Sequence, residues 1–343
     1  MIVAGDSLAD VGTVGYKATV QSASNPAAGY PIYPQLVAQQ LGAGALCNYF
    51  STADQGKTFT THAGCTDFAV AGASIANPIT MGGNEVPLSV QDQLKTAASA
   101  NGGAWQPGDL VVVDAGANDA LGLADTYLGA QYGTAADQAV YLALLGQQLS
   151  GSAITQALAQ PNGGSVAANL YMQQLAQTWW NALKANTLDK GATRVAVVNV
   201  LDITLTPRFR KGTTSGIATD HGAAAAADFE TQVRSWIVTF NSELAKLAAG
   251  DSRVVVVDFF SDFTAQNTTP SAFGLTNASE AACPLNADFP ACTDAALDAT
   301  PPAGLVAGWW KTWLYSDRFH PSPRGHELLA AAVARAIQVA RWR

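Results

Sequence analysis

Five short apolar runs punctuate the chain, at residues 2–4, 68–71, 110–114, 195–200 and 254–259, and longer stretches with helical spacing separate them. The helical stretches cover 33–41, 137–188 with a break at Pro161-Asn162-Gly163-Gly164, 223–247 and 323–340. Strands alternating with helices predict a parallel sheet covered on both faces. The runs are apolar throughout rather than alternating, as strands buried on both sides require. The expected fold class is therefore α/β: a three-layer α/β/α sandwich around a central, mostly parallel five-stranded sheet. No fixed-period repeat and no Pro- or Ser-rich linker divides the chain, so residues 1–343 read as a single domain. Two stretches depart from the rhythm, a helical insertion at about 121–188 and a loop-rich insertion at about 260–316. In open parallel sheets, ligands bind beyond the carboxyl ends of the strands. That rule directs attention to residues 5–9, 72–74, 115–120, 199–204 and 258–262.

Composition removes several functions. Of 343 residues, 48% are hydrophobic and 13% charged, enough apolar material for a sizeable core and too little charge for a disordered polyelectrolyte. The net charge is −8, with 18 Lys+Arg and no basic run, which argues against a nucleic-acid partner. No apolar run approaches the roughly 20 residues of a membrane-spanning helix. Met1 stands directly before Ile2-Val3-Ala4 without a secretory leader. The four cysteines fall into two local pairs, Cys47 with Cys65 and Cys283 with Cys292, in stretches rich in Thr, Asn, Pro and Gly. Neither pair has metal-knuckle spacing, so no metal site is expected. Local pairing as two disulfides implies an oxidising compartment, and hence a leader already removed; four buried free thiols are the alternative.

Chemistry collects at the strand ends. The first run leads straight into Gly5-Asp6-Ser7-Leu8-Ala9-Asp10, a serine at a strand-to-helix turn. Such a hydroxyl serves either as a helix cap or as a nucleophile. Gly72 ends the second run, where a glycine lets a backbone N–H approach a ligand, or simply ends a strand. Gly116-Ala117-Asn118-Asp119 follows the third run; the Asn118 amide either donates to a developing oxyanion or makes an Asx turn. Near the C-terminus stands Asp317-Arg318-Phe319-His320-Pro321. A carboxylate three residues before an imidazole is placed to orient it as a general base, and Pro321 keeps the group on a loop. Asp6, Asp119, Asp258 and Asp262 are competing carboxylates, and the short spacing favours Asp317. His326 falls in the first turn of the terminal helix, His62 between Cys47 and Cys65 and His221 at the start of an Ala-rich helix, and all three read as structural. Trp309, Trp310 and Trp313 precede the histidine loop and suit either an acyl pocket or the core.

These blocks, GDSLAD, Gly72, GAND and DRFHP, resemble in order the four blocks of the GDSL or SGNH hydrolase family, over nearly the whole chain. The stretches Phe273-Gly274-Leu275-Thr276-Asn277 and Pro321-Ser322-Pro323-Arg324-Gly325-His326 look like its secreted lipolytic branch, which includes phospholipase, lecithinase and haemolysin-like esterases. The resemblance implies a flavodoxin-like SGNH hydrolase fold. It also implies Ser7 as nucleophile, His320 as general base and Asp317 as its orienting carboxylate. The oxyanion hole would comprise the N–H groups of Ser7 and Gly72 and the Asn118 side chain. In one departure, the family often has a glycine where this chain has Ala71. The expected activity is hydrolysis of lipid or short-chain acyl esters through an acyl-enzyme, without cofactor or metal, by a secreted or periplasmic protein that touches lipid surfaces transiently. Polysaccharide O-deacetylation and acyl transfer are alternatives on the same triad, and a non-catalytic binding domain is the alternative from another class.

Overall fold

The computed structural model describes residues 1–54, 56–76, 87–285 and 289–342. Along the chain run β1 (Ile2–Ala4), α1 (Tyr33–Gln40), the short strands β2 (Phe50–Ser51) and β3 (Thr60–Thr61), α2 (Val90–Ala100), β4 (Val111–Asp114) and α3 (Ala117–Tyr132). Next come α4 (Ala135–Leu145), α5 (Gly151–Leu158), α6 (Gly163–Asn186), β5 (Val195–Val198), α7 (Ser215–His221), α8 (Ala223–Ala248) and β6 (Val254–Val257). The last elements are α9 (Phe259–Thr268), β7 (Asn277–Ala281), α10 (Asp294–Ala299), β8 (Trp313–Tyr315) and α11 (Pro323–Val339).

The main sheet is parallel in the order β1-β4-β5-β6. Valine dominates β4, β5 and β6, and its branched Cβ suits a pleated surface packed on both sides. Four of the five expected strands are thus regular. The fifth run, 68–71, lies along the free edge of β1, where Phe68 N–H donates to the Val3 carbonyl at 2.8 Å and Val70 N–H to that of Gly5 at 3.2 Å. Its pairing is too broken for a regular strand, yet it occupies the fifth position. Helices α1 and α11 cover one face, and α2, α6 and α8 the other, with one continuous apolar core running through both interfaces. Among the described residues no helix is long and apolar enough to cross a membrane.

Two expectations need correction. The helical stretch 137–188 breaks a second time, because α4 stops at Gly146 and Ser150 caps α5 by accepting the Ala153 N–H at 3.2 Å. The stretch 260–316 is also more ordered than expected. Asp258 caps α9, whose Phe259 and Phe263 are four residues apart and both buried, and β7 pairs with β8 in a small parallel sheet. Cys47 is bonded to Cys65 and Cys283 to Cys292, the local pairing expected. Beside the second disulfide, Trp309, Trp310 and Trp313 are buried with Val20 and Leu297 in a separate cluster, so these tryptophans are core.

Candidate active site

After β1 the backbone turns sharply at Asp6. The Asp6 carbonyl accepts the N–H groups of Ala9 and Asp10, and its Oδ1 accepts the Leu8 N–H at 2.9 Å. No helix follows β1 here, contrary to the strand-to-helix turn expected: Asp6 holds a tight turn, and the Ser7 hydroxyl, with no helix to cap, is free for another partner. That partner is His320, whose Nε2 lies 2.9 Å from Ser7 Oγ. On the far side of the ring, Nδ1 lies 2.7 Å from Asp317 Oδ2. Asp317 Oδ1 meanwhile accepts the N–H groups of Phe319 and His320 at 2.7 and 2.5 Å. Burial alone would raise the Asp317 carboxyl, but the charge and hydrogen bonds of His320 outweigh it and hold the group below its ordinary range. An ionised Asp317 makes Nδ1 the donor, which leaves Nε2 to accept the serine proton.

The loop bearing these groups is tied down. Ser316 N–H donates to the His320 carbonyl at 2.9 Å, and Ser316 Oγ to that of Pro321 at 3.0 Å. Ser322 then caps α11 by accepting the Gly325 N–H. Phe289 and Phe319 present their rings to the imidazole, with centroids at 6.2 and 5.4 Å.

Asn118 stands in the first turn of α3 and not in an Asx turn, because Gly116 at φ +105 takes the cap position. A Cβ on Gly116 would lie 2.7 Å from Val200 Cγ2, so only glycine fits there. The Asn118 amide donates to the Ala73 carbonyl at 2.8 Å and lies 3.5 Å from Asp6 Oδ2. Gly72 adopts φ +84 with open space where a Cβ would be. At the departure from the family pattern, Ala71 donates its N–H to Asp10 Oδ2 at 2.8 Å, and the left-handed position falls on Gly72. Among the described residues the N–H groups of Ser7 and Gly72 have no acceptor. Ser7, Gly72, Asn118, Asp317 and His320 all line one cavity of about 560 Å³.

The competing groups lie elsewhere. Asp119 accepts the N–H groups of Ile75 and Ala76, Asp258 caps α9, and Asp262 pairs with Arg335. His62 bonds Ser51, His221 stacks on Tyr132, and His326 is buried at the start of α11. Several supporting residues were not foreseen. Asp114, at the end of β4, accepts the Asp6 N–H at 3.0 Å through Oδ1 and the Tyr33 hydroxyl at 2.5 Å through Oδ2. Gln93 accepts the Gly5 N–H at 2.8 Å. The signal for Asp114 was a carboxylate closing an otherwise apolar strand; Tyr33 and Gln93 carried none, since their partners are distant in sequence.

A hydroxyl, an imidazole and a carboxylate in hydrogen-bonded series, beside two unengaged N–H groups, can activate an oxygen nucleophile and receive an oxyanion. The model of the GDSL-like lipase/acylhydrolase family matches residues 1–333, and the chain belongs to that family. At that level it is an ester hydrolase. Among solved structures it is similar to an extracellular lipase from Streptomyces rimosus, with a TM-score of 0.46 and 15% identity over 98% of each chain. No curated protein matches the chain.

Proposed function

We propose that the protein is a secreted serine carboxylester hydrolase acting on lipid or short-chain acyl esters through an acyl-enzyme on Ser7. The observation that carries this reading is the unbroken series Ser7 Oγ–His320 Nε2 at 2.9 Å and His320 Nδ1–Asp317 Oδ2 at 2.7 Å. His320 removes the Ser7 proton as Oγ attacks the ester carbonyl, and Asp317 stabilises the imidazolium that results. The N–H groups of Ser7 and Gly72 and the amide of Asn118 receive the oxyanion. The imidazolium then protonates the departing alcohol, and water, deprotonated by the same histidine, releases the acid and regenerates Ser7. The chain acts as one hydrolase domain. Its two disulfides support an oxidising compartment.

The test is hydrolysis of a p-nitrophenyl acyl series, from acetate to palmitate, by wild type and Ser7→Ala. The variant is expected to lose at least about 1,000-fold in kcat while keeping its melting temperature. Undiminished turnover by Ser7→Ala would sink the mechanism.

A further inference from the structure

A second cavity, of about 290 Å³, opens beside the Ser7 cavity, and Gly72, Asn118 and Leu121 line both. Ser7, Asp317 and His320 line only the first. From Asn118 the second cavity follows one stripe of α3. Leu121, Gly122 and Asp125 also line it, and they stand three, four and seven residues on, where side chains share a helix face. Seven residues of helix advance about 10 Å. Leu144 of α4 and Tyr171 of α6, both buried, add to the wall, and the surface presented is mostly apolar. The two carboxylates among the described lining residues are engaged. Asp119 accepts the N–H groups of Ile75 and Ala76 at 2.9 Å, and Asp125, at the exposed end of the stripe, lies 3.5 Å from Arg208 Nη2.

Gly122 lies in the interior of α3, where glycine is less favourable than alanine or leucine. Nothing stands within 4 Å of the place its Cβ would take, so no neighbour demands a glycine there. What the missing side chain leaves is room in the cavity. The position also says which half of an ester that room suits. With the carbonyl oxygen held at Gly72 and Asn118, the leaving oxygen must face His320 Nε2, which protonates it. The acyl chain is the remaining substituent on that carbon. It is directed away from His320, toward the cavity that His320 does not line.

We propose that the cavity along α3 receives the acyl chain and that Gly122 keeps it open. Because an extended chain advances about 1.2 Å per bond, the stripe suits acyl groups of about four to eight carbons. This rests on the reading of Ser7 and His320 given above. The test is kcat/KM for p-nitrophenyl acetate, butyrate, octanoate and laurate, each kept below the concentration at which it aggregates. Wild type is expected to peak at butyrate or octanoate, at least about 10-fold above acetate, and to fall at laurate. In Gly122→Leu the octanoate-to-acetate ratio should drop at least about 10-fold, and in Gly122→Ala by less. Both substitutions favour the helix, so the melting temperature should hold. Among methyl, ethyl and benzyl butyrates, by contrast, Gly122→Leu should keep the wild-type order and spacing of rates. A wild-type peak at acetate or laurate overturns the inference. So does a folded Gly122→Leu protein with the wild-type acyl profile, or one that discriminates among the alcohols instead. The underlying reading fails separately, if Ser7→Ala hydrolyses p-nitrophenyl butyrate as fast as wild type.

Discussion

A carboxylate at the end of a buried strand holds the serine turn from below. Asp114 accepts the Asp6 N–H and the Tyr33 hydroxyl, and a Cβ on Gly5 would sit 2.4 Å from its Oδ1, so glycine is required where the backbone passes over it. Burial pushes the Asp6 carboxyl well up, the charge of Asp114 adds to this, and burial lifts Asp114 itself to about 6. The two carboxyls thus take up a proton more readily in the folded protein than in the unfolded chain. Their contribution to stability is full below the ordinary carboxylate pKa, about 4; the Asp114 share is lost as pH rises through about 6, and the Asp6 share as pH rises through its own raised pKa. Asp114→Asn keeps one oxygen to accept a hydrogen bond but cannot ionise. We expect it to cost about 1–3 kcal/mol in acid and to flatten the fall in stability between about pH 4 and 6. Urea denaturation across that range measures both; an unchanged slope would remove the acid pair from the account. Asn118→Ala acts on the reaction instead. Losing one oxyanion donor should lower kcat by about 100- to 1,000-fold with little change in KM, read from initial rates on p-nitrophenyl butyrate.

The two disulfides close loops of similar type but different consequence. Cys47–Cys65 spans 18 residues and holds the segment that enters the edge of the sheet, where Asp67 N–H donates to the Cys47 carbonyl at 3.1 Å. Cys283–Cys292 spans 9 residues, and Cys283, Pro284, Leu285 and Phe289 all wall the Ser7 cavity. Replacing either pair by serine should lower stability by about 2–4 kcal/mol. Only the Cys283→Ser/Cys292→Ser protein should also raise KM for acyl esters, because its loop shapes the cavity. Equal KM values for the two serine proteins would contradict this. The elements themselves were unevenly legible in the sequence. β4, β5 and β6 announced themselves as valine runs, and α8 and α11 by long helical spacing. Helix α2 escaped notice because its apolar positions are mostly alanine, and α9 because ten residues give barely two buried repeats. The triad was legible because Asp317 and His320 are close in sequence and Ser7 ends a strand. Tyr33 and Gln93 were not, since each acquires its role from a partner 81 and 88 residues away.

Across the whole molecule, buried groups of opposite kind oppose each other in pH dependence. His326 lies at the start of α11 with no exposed surface, accepting the Tyr33 N–H at Nδ1 over 3.4 Å. Burial, reinforced by the charges of His320 and Lys17, pushes its pKa down to about 3. The folded protein keeps this imidazole neutral where the unfolded chain would protonate it. Its contribution is present above about pH 6.5 and lost as pH falls toward 3. The Asp6–Asp114 pair slopes the other way through much of the same window, and Tyr33 touches both groups, its N–H on His326 and its hydroxyl on Asp114. In the wild type the two slopes partly cancel. His326→Gln should therefore uncover the carboxyl slope, with stability falling as pH rises from about 4 to 6. Asp114→Asn should make stability fall less steeply over the same range, since burial still raises the carboxyls of Asp6, Asp10, Asp67 and Asp119 and part of the downward slope remains. The double variant should lie between the two. Because both groups lean on Tyr33, the single effects need not add, and a double-mutant cycle of unfolding free energies at three pH values measures the coupling directly. A slope no steeper than wild type in His326→Gln, or no shallower in Asp114→Asn, would show that the substituted group titrates as it does in water, and that the opposition does not exist.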